Sequence, residues 1–391
     1  MPVNDTDYYK IYDQFTNEER VLKESVRRFL DKEIRPLVLE AFHTEEPLDM
    51  RKIAPKMGRM GLIGADLPQK YGCPGASYVD LGIICQEVER VDSSLRSYVE
   101  VQSGLVMTPL YKFGTEEQKK KWLPALASGE AIGCFGLTEP NCGSDVSSLE
   151  TVAKKDGKHW ILNGTKQWIS EASLADMAVV WAKTDHGIQG FIVERGQEGF
   201  TQSFQKHKGS MRAGDVGELA FVDCRVPEEN VLPEATGIKA TFACLNHARY
   251  GISWGAVGAA IDCYETALRY SLERVQFGAP IASYQLVQDK LVTMLIEITK
   301  AQLLAYRLGR LMDEGKAMHG QISMAKKNNI KIARMCARTA RELMGANGIS
   351  LDSSPMRHMA NIESVYTYQG TDHIHTLILG MDITGISAFG R

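Results

Sequence analysis

The periodicity of the chain changes twice, and those two changes constrain its fold more than any other feature. Up to about residue 131 the apolar residues recur at helical spacing. Over residues 18–40 they fall at Val21, Leu22, Val26, Phe29, Leu30, Ile34, Leu37 and Val38, one stripe of a helix. Residues 50–60, 80–91 and 93–113 continue the pattern, and Thr115-Glu-Glu-Gln118 is a capping box that opens another helix. Near Gly133 the pattern shortens. Residues 159–169 carry two apolar runs around Asn163-Gly164, which predicts a hairpin turn there, and 177–182, 190–194 and 218–226 are strand candidates rich in Val, Ile and Phe. From Gly237 long amphipathic stretches return over 242–275, 284–313 and 319–345, and a last helix is expected to start near Thr371. Helices, then strands, then helices imply an α+β chain with an N-terminal helical domain (1–131), a middle β domain (132–236) and a C-terminal helical domain (237–391).

Composition removes several function classes. The net charge is −3 over 391 residues, with no concentrated basic footprint for nucleic acid. No apolar run reaches the ~18 residues of a membrane span, and the N-terminus lacks the basic and apolar regions of a secretory signal. The eight cysteines form no CxxC pair, so zinc is not expected. Reduced, buried cysteines suit a cytoplasmic location. His373 and His375 sit two apart on different sides of a helix, and nothing near them in sequence completes a ligand set, so no metal is expected.

Five segments carry chemistry. Cys134-Phe-Gly-Leu-Thr-Glu-Pro-Asn-Cys-Gly-Ser-Asp145 combines glycines, hydroxyls and backbone amides, which suits a planar heterocycle and a phosphate as well as a turn-rich connector. Arg274-Val-Gln-Phe-Gly278 offers a guanidinium fork for a pyrophosphate, or a solvated arginine at a helix end. In Leu245-Asn-His-Ala-Arg249, Asn246 and Arg249 lie three apart and share a helix face. Glu89-Arg-Val-Asp-Ser-Ser-Leu-Arg-Ser97 holds Arg96, which calls for an anion if it is buried, either a substrate carboxylate or Glu87 or Glu89. The fifth is Tyr366-Thr-Tyr-Gln-Gly-Thr-Asp-His-Ile-His375.

From about residue 15 onward these blocks resemble the acyl-CoA dehydrogenase family, most closely its glutaryl-CoA dehydrogenases. The resemblance implies FAD as cofactor, an acyl-CoA substrate, electron-transferring flavoprotein as electron acceptor, a homotetramer, and a β-barrel-like middle domain. It implies that Leu137, Thr138, Trp168, Ile169 and Ser170 contact the flavin ring. Arg274, Gln276 and Phe277 would grip the FAD of a neighbouring subunit, completed by Glu342, Gly345 and Gly348, with Thr371 also at the cofactor. Ser144, Asn246 and Arg249 would hold the CoA moiety. Arg96 and Ser97 would receive the distal carboxylate of the acyl group, next to Tyr368.

The chain departs from the family where the reaction begins. The residue before Gly370-Thr371, a glutamate base in the family, is Gln369. Glutamine has no carboxylate to titrate and cannot take the α-proton. The alternative base position, one residue before Arg249, is Ala248. Tyr98, Glu100, Glu171 and Asp372-His373 also differ from the usual glutaryl pattern, and Glu100 or Glu171 could be a relocated base or an ordinary paired carboxylate. Three readings follow. A malonyl-type thioester such as benzylmalonyl-CoA loses CO2 and makes its own enolate, giving cinnamoyl-CoA. A glutaryl-CoA dehydrogenase has had its base replaced, by nature or by design. A flavin- or CoA-binding protein has lost oxidation altogether.

Overall fold

The computed structural model describes residues 6–44 and 46–389. Seven helices precede the strands: α1 (Asn17–Phe29), α2 (Arg35–Thr44), α3 (Met50–Arg59), α4 (Tyr78–Val91), α5 (Ser93–Glu100), α6 (Thr108–Phe113) and α7 (Glu116–Ser128). Thr115 closes the expected capping box with Gln118, and Thr16 and Ser77 do the same for α1 and α4. Between α5 and α6 the chain does not break but widens into a π-helical segment, Val101–Met107. Such segments are rare and cluster at functional sites.

The middle region is one sheet: β1 (Gly133–Gly136), β2 (Val152–Asp156), β3 (His159–Ser170), β4 (Met177–Thr184), β5 (Gly187–Glu194), β6 (Phe200–Phe204), β7 (Val216–Pro227) and β8 (Val231–Thr236). The strand order is β6-β7-β3-β2-β4-β5-β8, with β1 parallel to β4. The hairpin expected at Asn163-Gly164 is not there. β3 runs straight through both residues, and the tight connection lies one turn earlier, where Asp156 pairs with His159. Asn163-Gly164 is instead a bulge against β7, where the register shifts between Leu162 and Gly164. The Asn163 amide donates to Asp223 Oδ1 at 3.1 Å and its Oδ1 accepts the Asp223 N–H at 2.9 Å. Gly164 has φ 146°, and a Cβ there would sit 2.5 Å from Thr151 Oγ1. Twelve residues of β7 supply a long ladder, and that pairing outweighs the local turn preference.

After the sheet come α8 (Gly237–Glu273), the two-residue strands β9 (Val275–Gln276) and β10 (Ala279–Pro280), α9 (Gln285–Asp313), α10 (His319–Leu343), α11 (Ser354–Thr367) and α12 (Asp372–Thr384). Sequence periodicity did not announce α11, because Arg357, His358 and Asn361 interrupt its apolar stripe while being buried. α8 packs on α4 and α10 and ties the two helical regions together. Their buried side chains form one core; a second lies within the sheet around Leu162, Val180, Phe191 and Leu219. All eight cysteines are free and buried. No helix among the described residues is long and apolar enough to cross a membrane.

Candidate active site

The exit of β1, the end of β3, the start of α8 and the turn between α11 and α12 enclose a cavity of about 1460 Å³. A single small-molecule site commonly spans ~300–1000 Å³, so this one has room for two large ligands. It gathers Ser97, Leu137, Thr138, Ser144, Trp168, Ile169, Ser170, Asn246, Arg249, Tyr368, Gln369 and Thr371 from the sequence-derived set. Arg96, Arg274, Gln276, Phe277, Glu342, Gly345 and Gly348 do not line it. Phe277 projects from the β9–β10 connection with 97% of its surface exposed and φ 51°, and Glu342 pairs with Lys290 at 2.6 Å.

One wall is held by the sheet. The Gln167 N–H donates to the Thr138 carbonyl at 2.9 Å. The buried Lys166 ammonium donates to the Leu137 carbonyl at 3.2 Å and pairs with Glu139 at 2.7 Å. Burial pushes Lys166 down to about 8, with Glu139 opposing the shift. Trp168 adopts φ 61° and leaves its indole half exposed, a flat apolar face on the cavity wall. This combination of a broad aromatic face, a pinned loop of backbone groups and free volume fits a flavin ring.

The opposite wall is cationic. Arg249 is buried, donates from Nη1 to Asn246 Oδ1 at 3.2 Å and from Nε to the Gln369 carbonyl at 2.9 Å. Among the described residues no carboxylate pairs with it, and burial pushes it down to about 10. The fully buried Lys326 of α10 donates to the carbonyls of Tyr368 at 2.8 Å and Gly370 at 2.7 Å. Sequence reading passed over Lys326; its one signal is a lysine on the apolar face of α10, between Ala325 and Asn329. Gln369 has φ 51°, and its Oε1 is buried without a hydrogen-bond partner among the described residues.

Arg96 stands behind Tyr368. Its Nε pairs with Glu89 at 2.7 Å and its Nη2 donates to the Tyr368 hydroxyl. Both ions of the pair are fully buried, while Nη1 of Arg96 and Oε1 of Glu89 have no partner among the described residues. Glu89 and Tyr368 hold Arg96 charged against its burial. Glu87 is committed elsewhere, to Arg27, Arg90 and Lys23. Half-paired buried ions are costly unless something completes them, and Arg96 meets the cavity wall through the Tyr368 hydroxyl without lining it.

Neither Glu100 nor Glu171 lines the cavity. Glu100 accepts from the Cys85 thiol at 3.0 Å and lies 3.7 Å from His247 Nδ1, whose Nε2 is 2.9 Å from Asp66. Despite burial, Asp66 and Glu100 raise His247 to about 10. Glu171, at φ 61°, is buried behind Ser170, and burial with the nearby Asp215 pushes its carboxyl well above the usual range. The carboxylates that do line the cavity, Asp145, Glu363 and Asp382, are exposed. Glu363 is held by Arg334 at 2.7 Å. Ala248 is fully buried. Among the described residues no group of His, Cys, Asp and Glu could hold a metal ion.

Three family models match the chain in order: the N-terminal domain of acyl-CoA dehydrogenases matches residues 16–130, the middle domain 134–224 and the C-terminal domain 235–384. The chain is 33% identical to a glutaryl-CoA dehydrogenase of Desulfococcus multivorans over 96% of its own length and 99% of the relative's. It superimposes on a glutaryl-CoA dehydrogenase from Mycobacterium smegmatis with a TM-score of 0.95 and 46% identity, covering 97% of this chain and 98% of the other. A glutaryl-CoA dehydrogenase from that organism in complex with FADH2 gives a TM-score of 0.96 and 44% identity over 98% of both chains. With its three segments matched in order and 97% of its length superimposed, the chain belongs to the acyl-CoA dehydrogenase family.

Proposed function

We propose that this FAD-dependent acyl-CoA dehydrogenase carries out oxidative decarboxylation of an acyl-CoA with a carboxylate on its α-carbon. The favoured substrate is a 2-(arylmethyl)malonyl-CoA such as benzylmalonyl-CoA, giving cinnamoyl-CoA and CO2. FAD is the cofactor, and when bound it supplies the acceptor for the hydride leaving the β-carbon. The observation that carries the reading is Gln369: an amide with a buried, unpartnered Oε1 on the cavity wall, where the family has its base. Neither of the two buried candidates for a relocated base, Glu100 and Glu171, reaches the cavity. A general base must come within about 2.6–3.2 Å of the proton it takes, or act through one water.

The reaction balances without a base. The electron pair of the bond to the departing carboxylate becomes the enolate, and the same pair forms the new double bond as the β-hydride leaves. No proton is released or taken up. In this reading Gln369 and Tyr368 face the α-carbon, Ser97 meets the carboxylated end, and Arg96 steers it through the Tyr368 hydroxyl. Asn246, Arg249 and Ser144 bind the CoA moiety, and Leu137, Thr138, Trp168, Ile169 and Ser170 hold the flavin. A glutamate at 369 would place a second negative charge by the substrate carboxylate, worth ~4 kcal/mol at 4 Å in an intermediate dielectric.

The exposed Phe277, with Arg274, Gln276, Glu342, Gly345 and Gly348 outside the cavity, supports a homotetramer in which these residues complete a neighbour's FAD site. Electron-transferring flavoprotein as acceptor and a cytoplasmic location complete the proposal. The half-satisfied Arg96–Glu89 pair favours a second reading, a glutaryl-CoA dehydrogenase lacking its base and converting glutaryl-CoA to crotonyl-CoA and CO2. Anaerobic mixing of the yellow protein with benzylmalonyl-CoA and with glutaryl-CoA separates the two. Flavin bleaching with stoichiometric CO2 from benzylmalonyl-CoA alone is expected; bleaching by glutaryl-CoA alone overturns the first reading, and bleaching by neither leaves a non-redox CoA-binding protein.

A further inference from the structure

Three consecutive carbonyls of the turn that carries Gln369 each receive a hydrogen bond from a buried cation. Lys326 serves Tyr368 at 2.8 Å and Gly370 at 2.7 Å, and Arg249 serves Gln369 at 2.9 Å. Between them Gln369 sits at φ 51°, a left-handed conformation that a non-glycine residue holds only when its surroundings impose it. On the neighbouring α12, the Thr371 hydroxyl caps the Ile374 N–H at 3.3 Å and Lys327 pairs with Asp372, both after the turn. His375 of α12 packs against Gly370, so that a Cβ on Gly370 would lie 3.1 Å from its Nε2. Yet both of its ring nitrogens are buried and unpartnered among the described residues.

We propose that Lys326 is a positioning residue of the active site: its ammonium clamps the carbonyls on either side of Gln369 and thereby aims that side chain into the cavity. Deleting a buried group that spans two carbonyls frees both for other conformations, and the relaxed turn would carry Gln369 away from its place on the wall. The inference rests on the reading that Gln369 faces the reacting carbon. The surrounding charges disfavour an ammonium there, and the two carbonyls are what hold it. Burial, then repulsion from Arg249 and Arg96, weakens the hold of Lys326 on its proton, while Asp372 opposes this. Burial and the same cations, Lys326 and Arg249, press His375 down to about 2, so it stays neutral and adds no competing charge. An ammonium in such a place persists because two carbonyls accept from it.

The test uses the full-length holoenzyme with Lys326→Met and Lys326→Arg. Expected for Lys326→Met are unchanged FAD content, a Kd for benzylmalonyl-CoA within about threefold of wild type, and turnover lower by about 100-fold, the cost of misplacing a group by ~1 Å. Lys326→Arg, which keeps charged donors, should recover at least about tenfold of that loss. The crystal structure of Lys326→Met should show Gln369 leaving its left-handed conformation. Turnover within threefold of wild type, or a Gln369 that keeps its φ and its place in the cavity, overturns the proposal. If Lys326→Met binds no FAD, Lys326→Gln decides: loss of FAD there too assigns Lys326 to folding alone and overturns positioning. Should wild type fail on benzylmalonyl-CoA, the proposed function falls, while the conformation of Gln369 in the variant crystal still judges Lys326.

Discussion

Two stretches on the cavity wall share a conformational device and differ in what stands behind it. At the end of β3, Trp168 and Glu171 take left-handed backbone; at the α11–α12 turn, Gln369 does. Behind the first lie acids: Glu171, with Asp215 accepting the Ser173 hydroxyl, both pushed up by burial. Behind the second lie cations: Lys326, Arg249 and Arg96, of which Arg96 alone has a carboxylate partner among the described residues. Beside the Lys166–Glu139 pair, two acids thus stand behind the wall proposed to face the flavin, while three cations, one of them paired with Glu89, stand around the place where the substrate would react. That distribution suits a site receiving a carboxylate and delivering no base to it.

The comparison breaks most easily at Arg96. Arg96→Met leaves Glu89 buried and unpaired, a loss of ~3–5 kcal/mol. Turnover of a carboxylated thioester should fall more than about 1000-fold in steady-state assays, with FAD still bound. Unchanged kinetics would remove Arg96 from the site.

A less drastic probe is the bulge in β3. Gly164→Ala should cost ~1–3 kcal/mol in denaturant unfolding, since the new methyl meets Thr151 at a strained φ. This residue also shows where sequence is ambiguous. Asn-Gly favours a turn and a bulge alike, and only the distant β7 decides between them. The helices with unbroken apolar stripes and side-chain caps were legible, including the Thr371 start of α12. α11 was not, because its buried face is polar: Arg357 bonds the Val91 carbonyl at 3.0 Å and Asn361 bonds Asp92 at 2.9 Å. At the site, twelve residues singled out in the sequence meet at one cavity. Lys326 escaped notice because a lysine in a helix reads as solvated, and its partners lie 42 and 44 residues away.

The acidic side is sharpened by pH. A carboxyl whose folded pKa is raised binds its proton more tightly in the folded state, so stability is full below the unfolded value and lost as pH rises through the folded one. Glu171→Gln should therefore raise Tm by roughly 2 °C near pH 8 and by less near pH 5. It should change turnover less than about threefold. A large fall in rate would make Glu171 the missing base.

The smallest effect expected is none at all: with no base to deprotonate, kcat for an α-carboxylated thioester should show no rise from about pH 5 to about pH 7, below the range where Lys166 titrates. Deuterium on its α-carbon should also remain in the product, as mass spectrometry would show. Washout into solvent would reveal proton abstraction.

The central claim concerns one amide, and Gln369→Glu tests it with two substrates in one assay. Restoring a carboxylate should leave FAD binding unchanged and raise glutaryl-CoA oxidation by ~10²–10⁴-fold, the usual contribution of a positioned base. Oxidation of benzylmalonyl-CoA should stay level or fall, because two negative charges would then share the α-carbon. A wild-type protein that already oxidises glutaryl-CoA at a rate the substitution cannot raise would contradict the account.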